Sequence, residues 1–134
     1  EEVINLINKK ALIIIELKGK GTAIPVSKLI KKYLRKGYNI NNFHVTSFSK
    51  KELKKLDKNI KSSPIVRKIP LRFHKIIKHS IYANYKHITK RAIDRAHKKG
   101  IRVNVYTVNK IKDIKRMKSM NVDGIVSNYP DRLR

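Results

Sequence analysis

Short apolar runs alternate with amphipathic stretches along the chain, and the two periods predict a regular succession of strands and helices. Glu1-Glu-Val-Ile-Asn-Leu-Ile7 places Val3, Leu6 and Ile7 at helical spacing, so the chain opens inside a helix. Ala11-Leu-Ile-Ile-Ile-Glu-Leu17, bounded by Lys18-Gly19-Lys20-Gly21, reads as a buried parallel strand. After Pro25, Val26, Leu29, Ile30, Tyr33 and Leu34 share one face of a helix through Lys36, with Gly37 as its C-cap. Asn42 to Phe48 is a second strand. Ser49 and Glu52 form a capping-box pattern opening a helix to about Lys58. Between Ser62 and Asn84, Pro64 and Pro70 interrupt the pattern, and short strands are expected at Ile65-Val66 and Ile81-Ala83. Thr89 caps a helix through Lys99 that keeps Ile93, Ala96 and His97 together and stops at Gly100. A strand over Ile101–Thr107, a helix over Ile111–Met120 and a last strand over Val122–Ser127 follow.

Successive strand-helix units imply an α/β fold with a parallel sheet, doubly wound or closed into a barrel. The polar residues favour the barrel. Glu16 and Lys18, Ser47, Thr107 and Asn109, and Ser127 and Asn128 all fall at the C-terminal ends of strands, together with Phe48, where a (β/α)8 barrel carries its active-site rim.

The 134 residues suit one domain, and a start that is not Met, inside a helical pattern, suggests a fragment or a processed chain. Without cysteine there is no disulfide framework and no thiolate metal site. The longest apolar run is too short to span a bilayer and no leader pattern precedes it, which favours a cytoplasmic protein. Against 9 acidic residues stand 34 Lys and Arg, a formal charge of +25 that attracts phosphates, nucleic acid or anionic lipid. The excess of Lys, Ile and Asn is also what A/T-rich codons produce, so a solvated, compositionally biased surface is the favoured reading.

Glu16 is the most informative residue. It puts a carboxylate in an apolar strand, where an unpaired charge is costly. Lys18, two residues on, projects to the same face, so the two side chains can meet one ligand, the carboxylate through a divalent metal and the ammonium through a phosphate. A structural ion pair between them, or with a neighbour, is the alternative.

Ile15-Glu16-Leu17-Lys18 resembles the Ile-Glu-Ile-Lys strand of glycerophosphodiester phosphodiesterases, and Thr46-Ser47-Phe48 their Ser-Phe strand end. Tyr106-Thr107-Val108-Asn109 is similar to their Trp/Tyr-Thr-Val-Asn motif. Val122-Asp-Gly-Ile-Val-Ser-Asn-Tyr-Pro-Asp131 is similar to their closing Val-Asp-Gly-Ile-Ile-Thr-Asp-x-Pro-Asp. The four pieces stand in the family's order, with a His97-Lys-Lys-Gly100 helix end before the third.

The resemblance implies the C-terminal part of a TIM (β/α)8 barrel of phospholipase C-like phosphodiesterase type, about strands 4 to 8, as one partial domain over residues 1–134. It implies Glu16 as a ligand of a divalent cation, Mg2+ or Ca2+. Lys18 becomes a catalytic and substrate-binding residue facing the phosphate of a small glycerophosphodiester, with Phe48 and Tyr106 as further substrate contacts. Ordinary barrel packing explains Tyr106 equally well.

The family's His-Arg, Glu-x-Asp and His-Asp strands have no counterpart here, and Ser127-Asn128 replaces the usual Thr-Asp. His44, His74, His79, His87 and His97 sit in none of those contexts and read as surface or packing residues. One metal carboxylate without an acid/base histidine is insufficient for phosphodiester hydrolysis, so this chain alone is expected to be inactive. A full barrel takes about 250 residues, so exposed sheet edges are expected, covered by missing strands or by a homodimer. The competing readings are a basic module binding nucleic acid nonspecifically and a catalytically dead relative attracted to anionic lipid. Against the first, the aromatics, Phe73 among them, form no stacking platform.

Overall fold

A computed structural model of the chain describes residues 1–72, 77 and 79–134. The elements run α1 (Glu2–Ile7), β1 (Ile13–Leu17), α2 (Ala23–Arg35), β2 (Phe43–Ser47), α3 (Lys50–Leu53), β3 (Ser62–Val66), β4 (Ser80–Asn84), α4 (Lys90–His97), β5 (Arg102–Tyr106), α5 (Ile111–Ser119) and β6 (Gly124–Ile125). Every strand pairs in parallel with the next in sequence, in the order β1-β2-β3-β4-β5-β6. Six strands are therefore described, where the resemblance implied about five. None of the described helices is long and apolar enough to cross a membrane. Phe73 and His74 lie outside the described residues.

The chain divides into two units, Glu1–Pro64 and Ile65–Arg134. In the first, Ile13 lies beside Phe43, Ile15 beside Val45 and Leu17 beside Ser47. Side chains alternate along a strand, so these residues share one face. Ala23, Ile30 and Tyr33 of α2, all fully buried, belong to the same core as Ile13, Leu17, Phe43 and Val45. Complete burial of a side chain such as Ile30 contributes about 1.5–3 kcal/mol. The opposite face carries Ile14 beside His44, and Glu16 beside Thr46, which is itself beside Ser63.

In the second unit Ile81, Ala83, Val103 and Val105 form the buried face of β4 and β5, in one core with Ile93 and Ala96 of α4 and Ile114 and Met117 of α5. Its other face sets Tyr82 beside Asn104, Asn104 beside Gly124, and Asn84 beside Tyr106.

Several expectations shift. Pro25, whose missing N–H costs nothing near a helix start, sits inside the first turn of α2 rather than ahead of it. Thr89 caps α4 as expected, accepting from Ala92 N. Gly37 and Gly100 follow α2 and α4 at φ 81° and 67°, the left-handed geometry that glycine adopts without penalty. Ser49 caps α3 by accepting from Glu52 N at 3.3 Å, but α3 ends at Leu53, short of Lys58, and the Glu52 side chain turns elsewhere. β6 is only two residues long. Beyond it Val126 N donates to Val105 O and Val126 O accepts from Val108 N, single bonds that extend the contact without continuing the strand.

Candidate functional site

Glu16 is the last residue but one of β1, and Lys18 follows the strand directly; both are exposed. The expectation that β1 is buried is corrected, since Ile14 is 47% exposed on the face that Glu16 shares. Water therefore solvates this carboxylate, and it needs no ion-pair partner. Among the described residues Glu16 forms no salt bridge, so the ion pair with Lys18 is not realised. Phe48, just beyond β2 in the same unit, is 61% exposed. In the other unit Tyr106 ends β5 half-buried, and its hydroxyl donates to Val66 O at 3.0 Å.

Four polar residues within or beside the quoted motifs carry the local architecture, and strand spacing alone did not assign their roles. Ser47 Oγ donates to Leu17 O at 2.8 Å and accepts from Ser49 N at 3.0 Å, tying the end of β2 to the end of β1. Glu52, only 3% exposed, accepts from Ala23 N at 3.2 Å and from Lys55 Nζ at 2.9 Å. The Lys55 contact, then the Gly21 and Ala23 amides, hold its carboxyl at about 2, against the opposing pull of burial. Asn109 Oδ1 accepts from Asn128 N at 3.0 Å and Ser127 Oγ at 3.3 Å, so the Thr-Val-Asn segment holds the loop after β6. Asp123 Oδ2 accepts from Val103 N at 2.7 Å and from His97 Nε2 at 2.8 Å.

The described histidines take structural or surface positions. His44 Nε2 lies 2.9 Å from Ser63 Oγ, His87 accepts from Arg67 Nε at 3.1 Å, His97 pairs with Asp123, and His79 is exposed. Among the described residues no three His, Asp or Glu side chains are grouped to hold a metal ion. Ca2+ takes about six to eight oxygen ligands, so Glu16 by itself is one donor and does not constitute a divalent-cation site.

The family model of the glycerophosphoryl diester phosphodiesterase family matches residues 2–132. YhdW of Bacillus subtilis (strain 168), provisionally named a glycerophosphodiester phosphodiesterase, is 28% identical over 142 residues, covering 98% of this chain and 58% of YhdW. A structure from Silicibacter pomeroyi DSS-3, provisionally named a glycerophosphoryl diester phosphodiesterase, is similar with a TM-score of 0.83 at 20% identity. That match covers 98% of this chain and 53% of the other. An Oleispira antarctica phosphodiesterase, solved in complex with the product sn-glycerol-3-phosphate, has a TM-score of 0.81 at 18% identity, over 98% of this chain and 57% of that one. The chain thus spans little more than half the length of these relatives.

Proposed function

Because the chain belongs to the glycerophosphoryl diester phosphodiesterase family, we propose that it forms the C-terminal part of a barrel that hydrolyses glycerophosphodiesters to glycerol phosphate and an alcohol. The observation that carries the reading is the family match across residues 2–132, with Glu16 and Lys18, two residues apart, both exposed at the C-terminal end of β1. That end of a strand is where barrel enzymes place their chemistry.

In this reaction a P–O bond forms to water, the P–O bond to the alcohol breaks, and the departing alkoxide takes a proton. Lys18 supplies a fixed positive charge to the non-bridging phosphate oxygens, where negative charge accumulates. Phe48, in the same unit as Lys18, provides apolar surface for the glycerol or alcohol part. Glu16 contributes one carboxylate to a Mg2+ or Ca2+ site whose other ligands come from outside this chain. The proton-transfer groups likewise come from outside it, so these 134 residues alone are inactive. The exposed Leu12, beside β1, and Ile14, within it, support the covering of this strand, which among the described residues pairs on one side only, by further strands or a second copy.

The test compares this chain with a full-length protein carrying it, by release of glycerol phosphate from a glycerophosphodiester. Activity is expected in the full-length protein only, and Glu16→Ala is expected to abolish it while weakening divalent-metal affinity. Turnover by the 134 residues alone refutes the need for outside groups. Unchanged activity and metal affinity in the Glu16→Ala protein refute the role of Glu16.

A further inference from the structure

We propose that Ser47 and Glu52 are positioning residues that clamp both ends of the loop carrying Lys18, so that its ammonium is presented from a fixed root. The inference rests on the reading of Lys18 as a phosphate-binding residue. Between Leu17, the last residue of β1, and Ala23, the first of α2, run Lys18-Gly19-Lys20-Gly21-Thr22. Two glycines in so short a loop, Gly21 at φ 80°, make it costly to order if nothing holds it.

Both ends are held, and by one short segment. At the strand end, the Ser47 hydroxyl donates to Leu17 O. At the helix end, the Glu52 carboxylate accepts from the Ala23 amide at 3.2 Å. Ser47 and Glu52 are linked through Ser49, whose N–H donates to Ser47 Oγ and whose Oγ accepts from Glu52 N. All of these bonds lie within the first unit.

The local sequence does not use the cheaper solution. Thr22 is the N-cap of α2, yet its side chain does not cap the helix. It donates instead to Gly19 O at 2.7 Å, tightening the loop. The orphan amides at the start of α2 attract an anion, and a carboxylate 29 residues away fills that role. With Glu52 there, the Ala23 amide is already engaged, and the loop meets a substrate phosphate through side chains, Lys18 foremost.

The test is a double-mutant cycle in the full-length protein, with sn-glycero-3-phosphocholine as the probe substrate and kcat/KM as the readout. Glu52→Ala is expected to lower kcat/KM roughly 2- to 10-fold, the penalty for ordering a long side chain only on binding. Glu52→Gln, which keeps one acceptor oxygen, is expected to recover part of the loss. In a Lys18→Ala background, Glu52→Ala is expected to have no further effect. An equal loss in that background shows that Glu52 acts through stability alone and overturns the clamp. An unchanged kcat/KM for Lys18→Ala itself overturns the phosphate role, and the clamp with it. Should Glu52→Ala not fold, Ser47→Ala enters the same cycle with the same two outcomes.

Discussion

Replacing Asp123 by alanine removes one oxygen that serves two donors. The Val103 amide belongs to a fully buried residue and is left without its acceptor at 2.7 Å. An unsatisfied buried donor costs about 1–3 kcal/mol. The His97 contact involves side chains 29% and 30% exposed, and a pair of that kind contributes about 0–1 kcal/mol. Asp123→Ala is therefore expected to destabilise the second unit by roughly 1–4 kcal/mol, most of it from the amide. Asp123→Asn retains an oxygen for Val103 N, and His97→Ala touches only the weaker bond, so each is expected to cost about 1 kcal/mol or less. Urea unfolding followed by far-UV circular dichroism reads the order from midpoint shifts at constant slope. Hydrogen exchange at the Val103 amide reports the local event. If Asp123→Ala and His97→Ala differ by less than about 0.5 kcal/mol, the amide is not the dominant partner and the reasoning is wrong.

Glu52 makes the first unit sensitive to acid. Its folded value of about 2 lies below the ordinary 4.5, so the stability it contributes is fully present above the ordinary value and is lost as pH falls through about 2. Urea midpoints taken between about pH 5 and about pH 2.5 should fall more steeply for the native chain than for Glu52→Gln, and parallel slopes would count against the burial of this charge. In the other unit, Ile93 of α4 is fully buried, so Ile93→Ala is expected to cost about 2–5 kcal/mol, with a loss below about 1 kcal/mol showing that the core closes over the gap.

The order and type of the elements were legible because each strand and helix buries a face whose period is written in the sequence. Even the proline-interrupted stretch yielded its two strands, since Ile65 and Ile81 are buried where short apolar runs stand. What failed was reasoning about neighbours distant in sequence. Glu16 read as a costly buried charge because its strand neighbours are apolar, yet Glu16 itself is exposed and its carboxylate is solvated. Glu52 matched a local capping box, but its side chain caps a helix 29 residues away, a pairing that no spacing rule encodes. The His-Lys-Lys-Gly and Val-Asp-Gly segments looked like separate fragments of a family pattern, and the bond between His97 and Asp123 makes them one feature. Glu16, Lys18 and Phe48 are exposed at the ends of β1 and β2, where their strands leave them open to solvent.

Gly124 carries a consequence for how this sequence can vary. A methyl group there would stand 2.3 Å from the Asn104 amide oxygen and 3.3 Å from its carbon, but an ordinary 3.7 Å from the Asn104 Cβ. Positions 104 and 124 are thus occupied jointly: a side chain enters at 124 only if residue 104 turns its amide away or surrenders it. Two sites twenty residues apart share one volume, and what position 124 tolerates is decided at position 104.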